Sequence, residues 1–592
     1  MVSNSVMRIR CLSALLVVAM PGVALAMSVA LEPSTASPTK VGTIVAWTAT
    51  VSDAGPGTLW YRFRAHAIGQ NFRTIKDYGP DNRLNWTASD HEGLYQIEVT
   101  VRNTSTHEIA VAIEYFEMQS LVLGGQPVIT PTSHPLVYLY SAPACADGAR
   151  MRVQFTSSGA TPQRTPYQEC GGGRSMNFYL GGLRARTQYV VKHTVDTGDA
   201  FLDGPILNLA TSEARSDLPA VTVTMQPSRP ESGILLQATI ASNPMATDLN
   251  GNLIWYYPGN LDFNTVGPFV LLSPDRGGYF WGTFLNTAAD QSQQILRQFD
   301  LTGRTVLETN AARVGEQLVA MGKRPIGAFH HDVRRLPDGK IAALASVEQI
   351  LTDVQGDGPV DILGEMIVIL DRNLQVVWAW DAFDHLDAKR PSSTNDKCPF
   401  PGCPPLFLAD TAKDWLHGNS LEQTPDGNLL FSSRHQDWLI KIDYQNGTGS
   451  GDVLWRLGKD GDFQLNSTDP SPWFSHQHDA KFLADNHTIL LFDNGNLRRL
   501  GDPNANSRGQ LIHLDEGNRV ATLVLNADLG AFSAALGSAQ KLSGGSYHFN
   551  LGVLSDATSV AIETDPSGQP IYQLHIAAPE YRSFRMSDIY TP

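Results

Sequence analysis

The sequence predicts an all-β protein in which an N-terminal β-sandwich region, immunoglobulin- or fibronectin-like, precedes a six-bladed β-propeller. Two observations lead to this fold class. Residues 28–213 contain stretches such as "GLYQIEVTVRN", in which apolar and polar residues alternate as they do in half-buried strands. From about residue 217 onward, a strand that ends in aspartate, a turn and a second apolar strand recur six times. The two parts of the chain therefore require different β architectures.

The N-terminal region is predicted to form two β-sandwich modules, at 28–125 and 126–213. Turn residues recur there at the spacing that is typical of sandwich domains. The stretch "LGGLRARTQYVVKHTV" resembles the fibronectin-type strand that carries a corner tyrosine, with Tyr189 in that position. Neither module contains residues arranged like a catalytic site, so we expect a supporting or docking role.

The C-terminal repeat predicts a propeller at 217–592. Six aspartates mark its copies at intervals of 50 to 72 residues: Asp248, Asp300, Asp371, Asp443, Asp515 and Asp565. Between them lies a second series of turn sequences, such as "LPDGK" and "TPDGN", whose residues suit a strand reversal. Two hairpins per copy make a four-stranded blade, and six copies make six blades.

Residues 1–26 have the features of a secretory signal peptide. Arg8 and Arg10 precede a short apolar run that ends in the small-residue pattern Ala24-Leu25-Ala26. No other stretch is apolar enough to cross a bilayer. We therefore expect a periplasmic or secreted protein without a membrane anchor.

Composition narrows the class of function. The chain of 592 residues has 59 acidic against 44 basic side chains, a net charge of −15. A nucleic-acid-binding protein more often carries a positive balance, so we expect no nucleic-acid partner.

Export places the cysteines in an oxidising compartment. Cys398 and Cys403 lie close enough in "KCPFPGC" to form a disulfide, and Cys145 with Cys170 can form a second. Metal binding is the alternative, but neither pair has the C-x-x-C spacing of a zinc site. We therefore predict two disulfides.

Histidines occur at the same register in three of the predicted blades. They lie in "FHHDVRRLPDGK", "WLHGNSLEQTPDGN" and "SHQHDAKFLADN". Aligned at the turn, His331, Asn419 and His478 share one position, and His417 and His476 share another two residues earlier. The starts of inner strands converge at the mouth of a propeller channel, so these side chains are expected to meet there.

The strands that return from these hairpins add further polar groups. "LLFSSRHQDW" contributes Arg434, and "LLFDNGN" contributes Asp493 and Asn494. Arginine and imidazole groups suit a tetrahedral oxyanion, and a neutral imidazole can act as nucleophile or base. A metal site is the rival chemistry, but the fixed charge of Arg434 opposes it, so we predict no metal.

These four motifs resemble those of the bacterial PAPS-independent arylsulfotransferases, which use no nucleotide sulfate donor. The resemblance covers roughly residues 235–575. It implies ping-pong transfer of a sulfuryl group from an aryl sulfate to a phenol, with no cofactor. It also implies that His478 is the nucleophile and carries a transient sulfohistidine.

The resemblance assigns further roles. It implies that His331, His417 and Arg434 are catalytic, with Asn419 beside them. The remaining candidates for substrate binding are His330, His476, Asp493 and Asn494, and only one of His330 and His331 is expected to face the channel. The implied partners are small phenols and aryl sulfates, and a homodimer follows by analogy alone.

Two other functions fit the same residues. One is a non-catalytic propeller that binds a sulfated or phenolic ligand through its polar mouth. The other is a hydrolase, either of sulfate esters or dependent on a metal held by the histidine cluster.

Overall fold

The computed structural model describes residues 26–226, 232–240, 242–259, 269–286, 289–399 and 404–592. These ranges are all-β, with three short helices: α1 (Ala311–Ala320), α2 (Ala382–His385) and α3 (Asn496–Gly501). Two 3-10 turns lie at Gln291–Gln293 and Gln445–Gly447. No helix in the described ranges has the length and apolarity needed to span a membrane. The predicted signal peptide lies outside the described residues, except for Ala26.

The first eight strands form two sheets. They are β1 (Ser28–Pro33), β2 (Thr39–Lys40), β3 (Val45–Ser52), β4 (Leu59–Ala67), β5 (Arg73–Gly79), β6 (Arg83–Trp86), β7 (Gly93–Asn103) and β8 (Ile109–Gln119). One sheet has the order β1-β3-β6 and the other contains β2-β8-β7-β4-β5. Inward-facing side chains of both sheets, such as Trp47 and Phe63, share one buried core. The period-2 alternation of these strands therefore separates a core face from an outer face.

The next nine strands form two further sheets. They are β9 (Val128–Pro131), β10 (Tyr138–Ala142), β11 (Arg150–Ser157), β12 (Gln163–Arg164), β13 (Gln168–Glu169), β14 (Met176–Leu180), β15 (Gln188–Asp196), β16 (Phe201–Asp203) and β17 (Leu207–Ala210). The hydroxyl of Tyr189 accepts a hydrogen bond from the backbone N–H of Arg184 at 2.9 Å. This contact is the tyrosine-corner interaction that the sequence predicts.

One of the two predicted disulfides is present in the described part of the chain. Cys145 and Cys170 are joined, with their Cα atoms 5.4 Å apart. The second prediction pairs Cys398 with Cys403, and Cys403 lies outside the described residues. Cys398 itself is buried, and its Sγ lies 3.5 Å from the carbonyl oxygen of Pro404.

The remaining strands run from residue 221 to residue 586. They are β18 (Val221–Met225), β19 (Ile234–Thr239), β20 (Met245–Asp248), β21 (Leu253–Tyr256), β22 (Phe269–Asp275), β23 (Tyr279–Leu285), β24 (Ile295–Asp300), β25 (Thr305–Asn310), β26 (Phe329–Arg335), β27 (Ile341–Thr352), β28 (Pro359–Leu370), β29 (Val376–Asp381), β30 (Lys397–Pro399), β31 (Thr411–Asp414), β32 (Gly418–Gln423), β33 (Leu429–Ser433), β34 (Trp438–Ile442), β35 (Val453–Gly458), β36 (Gln464–Asn466), β37 (His478–Phe482), β38 (Thr488–Asp493), β39 (Arg508–Asp515), β40 (Val520–Asp528), β41 (Ser538–Lys541), β42 (Tyr547–Leu551), β43 (Ser559–Thr564), β44 (Pro570–Ile576) and β45 (Glu580–Met586).

These strands build six antiparallel units of four strands each. Unit 1 has the order β45-β19-β20-β21, and units 2 and 3 are β22–β25 and β26–β29. Units 4, 5 and 6 are β32–β35, β37–β40 and β41–β44. The last strand, β45, is thus the first strand of unit 1, and β18 adds to the outer edge of unit 6 by pairing with β44. Both ends of this region are therefore tied together by strand pairing.

The repeated aspartates make the turn between the third and fourth strands of each unit. In unit 3, Asp371 accepts hydrogen bonds from the backbone N–H groups of Asn373 and Gln375. Asp565 does the same for Ser567 and Gln569 in unit 6. A carboxylate that satisfies two turn amides explains why aspartate recurs at this position.

The buried core lies between neighbouring units. Ile367 and Ile369 of β28 face unit 4, whereas Val368 between them faces unit 2. Each of six buried clusters contains side chains from two successive units, and one of them joins unit 6 to unit 1. Strands that are covered on both faces read as continuous apolar runs, as "EMIVIL" does.

The first region also contacts unit 2. Strand β5 lies parallel to β25, and Lys76 is paired with Glu308 at this junction. The Lys76 ammonium lies 3.5 Å from the Glu308 carboxylate, and both groups are largely buried. This pair joins the N-terminal strands to the repeat region.

Candidate active site

The first strands of units 3, 4 and 5 are irregular where the histidine motifs lie. The register of β26 shifts between Phe329 and Val333, and that of β32 shifts between Gly418 and Ser420. Strand β37 shifts just after His478. Bulges re-aim side chains and frequently lie beside functional sites. The same feature in three neighbouring units brings the three motifs together.

Several of these residues adopt left-handed backbone conformations. The φ angles are 56° at His331, 49° at His417 and 54° at His476. Non-glycine residues rarely adopt such angles, and the cost is on the order of 1–3 kcal/mol each. His417 and His476, which the sequence alignment equates, therefore share their backbone geometry as well as their register.

His478 is held in one tautomer. Its Nδ1 lies 2.7 Å from the Oδ1 of Asn494 and 3.1 Å from the carbonyl oxygen of His476. The amide nitrogen of Asn494 donates to the carbonyls of Ser533 and Leu536, which fixes the amide so that Oδ1 faces the ring. Both neighbours of Nδ1 are thus acceptors, so Nδ1 carries the proton and Nε2 keeps its lone pair.

The surroundings of His478 also keep its ring neutral. The side chain is buried, and burial lowers its pKa well below the usual histidine value. The positive charge of Arg434 lowers the pKa further. A neutral imidazole with a free Nε2 lone pair is a competent nucleophile at neutral pH.

His417 forms a dyad with Asp414. Its Nδ1 donates to the Oδ2 of Asp414 at 2.7 Å, which leaves Nε2 as the free nitrogen. Burial lowers the pKa of His417, and burial raises that of Asp414. The ring of His417 is partly open to solvent and lies 4.8 Å from the ring of His331. This arrangement suits an imidazole that gives and accepts a proton.

Arg434 is held beside His417 by two kinds of contact. Its backbone N–H donates to the carbonyl of His417, and its guanidinium contacts the Nε2 of His435. His435 is itself fixed because its Nδ1 donates to the carbonyl of Asp414 at 2.7 Å. The guanidinium also donates to the carbonyl of Ala534 at 3.3 Å. These contacts place a permanent positive charge among the histidines.

His330 and His331 have different surroundings. His330 is fully buried, and its Nε2 lies 3.0 Å from the carboxylate of Glu365. His331 is partly exposed and contacts the rings of His417 and Tyr581, at centroid distances of 4.8 and 5.6 Å. His331 is therefore the member of the pair that borders the other candidate residues.

Asn419 contacts a buried charged network. Its side-chain nitrogen donates to the carbonyl of Gln477, and its own carbonyl accepts from Tyr581 and from Arg582. Arg582 is fully buried and pairs with Asp332 at 3.1 Å. The Oδ1 of Asn419 is buried, and no described residue supplies it with a hydrogen-bond donor.

Three of the predicted substrate-binding residues act on other protein groups. His476 contacts Asp437 through its Nδ1 at 3.1 Å. Asp493 pairs with Arg498 at 2.7 Å and accepts the backbone N–H of Ser475. Asn494 orients His478, as described above. All three are fully buried, as His478 and Asn419 also are.

Several residues of the site are absent from the sequence prediction. They are Glu365, Asp414, His435, Tyr581 and Arg582. Glu365 carries a detectable signal, since it is the single charge in the apolar stretch "LGEMIVIL" and a lone charge on a covered strand needs a partner. Arg582 carries no local signal, because its partner Asp332 is 250 residues away in sequence.

Two groups of side chains offer nitrogen and oxygen atoms within 4.8 Å of one another. They are Asp396, His435 and His476, and Asp414, His417 and His435. Both groups need His435, whose Nδ1 donates to a carbonyl and whose Nε2 contacts the Arg434 guanidinium. An ion there would displace this contact and stand beside a permanent positive charge, so we assign no metal ligand.

The comparisons with known proteins concern mainly the repeat region. Residues 211–582 match the family model described as Arylsulfotransferase (ASST). No curated protein matches the chain. The FN1–FN3 domains of chicken CNTN1 are 10% identical, with 31% of this chain and 67% of that chain covered and a TM-score of 0.14. The chicken interferon gamma receptor alpha chain is 8% identical, with 31% and 98% covered and a TM-score of 0.13. Neither structural likeness is close enough to carry an argument.

Proposed function

Because this chain belongs to the arylsulfotransferase family, we propose that it transfers a sulfuryl group from an aryl sulfate to a phenol without a nucleotide sulfate donor. In this proposal transfer is ping-pong and passes through a sulfohistidine on His478. The observation that carries it is the fixed tautomer of His478, whose Nδ1–H is held by Asn494 while Nε2 keeps its lone pair.

The first half-reaction forms an N–S bond and breaks an S–O bond. The Nε2 of His478 attacks the sulfur of the aryl sulfate, and the aryl oxygen leaves with the electron pair of the broken bond. A strongly basic phenolate needs a proton as it departs. His331 and His417 border one another and supply the groups that can deliver it.

The second half-reaction reverses these changes with a new phenol. An imidazole takes the proton of the acceptor hydroxyl while its oxygen attacks the sulfur of sulfohistidine. The N–S bond breaks, and His478 recovers its neutral form. The same histidines serve in both directions, as microscopic reversibility requires.

Arg434 and Asn419 are proposed to bind the sulfuryl oxygens. In the transition state the transferring group carries negative charge on its equatorial oxygens, so fixed donors beside it lower the barrier. Arg434 is anchored by His435 and by the backbone of His417, so its charge is in place before substrate binds. His330, His476, Asp493 and Asn494 hold the residues that touch the substrate. No cofactor is needed for these steps.

The proposal includes a six-bladed propeller at 217–592, preceded by sandwich modules at 28–125 and 126–213. Three features support the propeller. The six units share six cores in sequence. The first strands of units 2 to 6 lie against one another in order, and β41 of unit 6 lies against β45 of unit 1. Pairing of β45 with β19 joins the two ends of the region. A closed ring of this kind leaves no free inner edge.

We also propose that the protein is exported to the periplasm or beyond and has no membrane anchor. The signal-like segment 1–26 and the Cys145–Cys170 disulfide support export. The partners are small phenols and aryl sulfates, and a homodimer remains an analogy to the family.

Steady-state kinetics test the proposed function. Transfer from nitrophenyl sulfate to a series of phenols should give parallel double-reciprocal lines, the pattern of a ping-pong reaction. The variant H478A should lose transfer, whereas H513A, which changes an exposed histidine of β39, should keep it. Release of nitrophenol only to water, at a rate independent of added phenol, would identify a sulfate-ester hydrolase. Ligand binding without turnover would identify a non-catalytic propeller.

A further inference from the structure

Glu365 is a buried carboxylate in the middle of an apolar strand. It lies in β28, where its Oε1 accepts the backbone N–H of Gly418 at 2.7 Å. Its Oε2 lies 3.0 Å from the Nε2 of His330. The Nε2 and Oε2 atoms do not meet hydrogen-bond geometry at this distance, and neither has a hydrogen-bond partner in the described chain. Two buried polar atoms that lie 3.0 Å apart without a hydrogen bond of their own are placed to share a proton once they align.

The contact continues to a second imidazole. The Nδ1 of His330 lies 2.7 Å from the Nδ1 of His331, and the two rings are nearly perpendicular. One of these nitrogens must carry a hydrogen and the other must accept it. These contacts form a chain from Glu365 through His330 to His331. Of the ring nitrogens of the two histidines, only the Nε2 of His331 lies outside these contacts and is left for a substrate.

The hydrogens along this chain can be arranged in two ways, and the two arrangements give the Nε2 of His331 opposite properties. If Glu365 is ionised, His330 donates from Nε2, His331 donates from Nδ1, and the Nε2 of His331 is a bare acceptor. If Glu365 is protonated, each hydrogen moves one step, and the Nε2 of His331 becomes a donor. One structure therefore provides a base in one state and an acid in the other.

We infer that Glu365, His330 and His331 form a proton relay in which Glu365 stores the phenolic proton between the two half-reactions. The inference rests on the proposed sulfuryl transfer. Glu365 and His330 act through His331 and do not touch the substrate. Their role is to position and supply a proton at the Nε2 of His331.

The proton count balances in each direction. In the first half-reaction the Nε2–H of His331 passes to the departing aryl oxygen, while the Nδ1–H of His330 moves to His331 and the proton of Glu365 moves to His330. Glu365 is then ionised, and both imidazoles are neutral. In the second half-reaction the acceptor phenol gives its proton to His331, and the three transfers run backwards to Glu365.

The surrounding charges favour this route over a charged imidazole. Burial raises the pKa of Glu365 above its usual value, against the lowering effects of His330 and of the Gly418 N–H. Burial lowers the pKa of His331 well below its usual value, and the neighbouring imidazoles and the fixed charge of Arg582 oppose its protonation further. An imidazolium at His331 is therefore costly, and moving the charge to Glu365 avoids it.

The variant E365Q tests the relay with a series of aryl sulfate donors. Glutamine keeps the shape of the side chain and an acceptor for the Gly418 N–H, but it cannot take or release a proton. Nitrophenolate leaves without a proton, so sulfuryl transfer to the enzyme from nitrophenyl sulfate should change less than about 3-fold. Transfer from a methylphenyl sulfate, whose phenolate is strongly basic, should fall about 100-fold or more, the usual contribution of general acid catalysis.

A matched variant controls for loss of a carboxylate whose pKa is raised by burial. Glu422 of β32 is half-buried, and burial raises its pKa to about 7, but its carboxylate accepts the backbone N–H of Phe482 where that of Glu365 faces His330. E422Q should leave the ratio of the two donors unchanged. If transfer from both donors is slowed equally in E365Q, Glu365 has only a structural role. If transfer from neither donor is slowed, the relay is overturned.

A second measurement needs no variant. On the wild-type protein, transfer from methylphenyl sulfate in mixtures of light and heavy water should give a curved proton inventory, because several protons move together. A straight line would indicate one proton in flight and would contradict the relay. If the wild-type protein transfers no sulfuryl group from any aryl sulfate, the proposed function itself fails, which is distinct from failure of the relay.

Discussion

The Nδ1 of His478 donates to the Oδ1 of Asn494 at 2.7 Å, and Asn494 is itself fixed by two backbone carbonyls. This relationship leaves the lone pair on Nε2, the ring nitrogen that we propose as the nucleophile. The motif "QHD" supplies the imidazole, and the strand that returns from the same hairpin supplies the amide that orients it.

Removal of this amide should impair the attacking step. In N494A the Nδ1–H of His478 loses its nearest acceptor, and an unmade buried hydrogen bond costs roughly 1–3 kcal/mol, equivalent to about a 5- to 160-fold fall in rate. We expect single-turnover sulfuryl transfer to the enzyme to fall within that range. N518A changes an exposed asparagine of a turn and serves as the control. An unchanged rate in N494A would contradict the orienting role.

Arg582 should contribute strongly to stability. It is fully buried and pairs with Asp332 and Asp479, both of which Arg334 also pairs with, so its removal takes away one of the two cations that these carboxylates share. Breaking a buried pair in this way typically costs about 3–5 kcal/mol. We predict a loss of that size in the unfolding free energy of R582M, measured by urea denaturation, and little change in R372M, whose side chain is exposed. A loss below about 1 kcal/mol in R582M would show that Arg334 alone balances the two carboxylates.

Acid should destabilise the repeat region through its buried histidines. Burial lowers the pKa of His548 to about 3, whereas an unfolded histidine titrates near 6.5. Between these values the unfolded chain binds a proton that the folded chain does not, so stability falls as pH falls, by up to about 1.4 kcal/mol per pH unit for each such imidazole.

The variant H548Q isolates one of these groups. Its unfolding free energy should decline less steeply than that of the wild type between about pH 5.5 and 4.5, by about 1.4 kcal/mol per pH unit. H513Q, at an exposed position, should keep the wild-type slope. Equal slopes in H548Q and the wild type would show that His548 does not contribute to acid lability.

The disulfide should matter for stability and not for transfer. Cys145 and Cys170 are 25 residues apart, and a loop of that length predicts a stabilisation of roughly 3 kcal/mol. The double variant C145S/C170S should lose about that much unfolding free energy, measured by denaturant titration. Its transfer activity at a temperature where it remains folded should match the wild type, because no site residue lies in strands β9–β17.

Much of the local structure follows from the sequence. The aspartates of the repeat predict the turns, because each carboxylate accepts turn N–H groups, two of them in units 1, 2, 3 and 6. The register of the histidine motifs predicts that His417 and His476 are equivalent, and their φ angles agree. These features depend on short stretches of chain, which is why a pattern reveals them.

The parts of the site that the sequence does not predict come from contacts that the repeat does not encode. Arg582 reaches Asp332, 250 residues away, because β45 returns to pair with β19 at the other end of the repeat. Glu365 approaches His330 across the strands of unit 3, and Asp414 reaches His417 from a strand outside the four-strand pattern, only three residues before it. None of these contacts follows the period of the repeat, so the three-dimensional structure is needed to identify the partners.

The most direct test of sulfuryl transfer through His478 is rapid-quench intact-mass analysis. The wild-type protein is mixed with nitrophenyl sulfate in the absence of a phenol and kept at neutral or alkaline pH, because an N–S bond is labile in acid. We predict an added mass of one sulfuryl group that maps by peptide analysis to His478 and disappears when a phenol is supplied. Release of nitrophenol with no adduct, or an adduct on another residue, would contradict the assignment of His478 as the nucleophile.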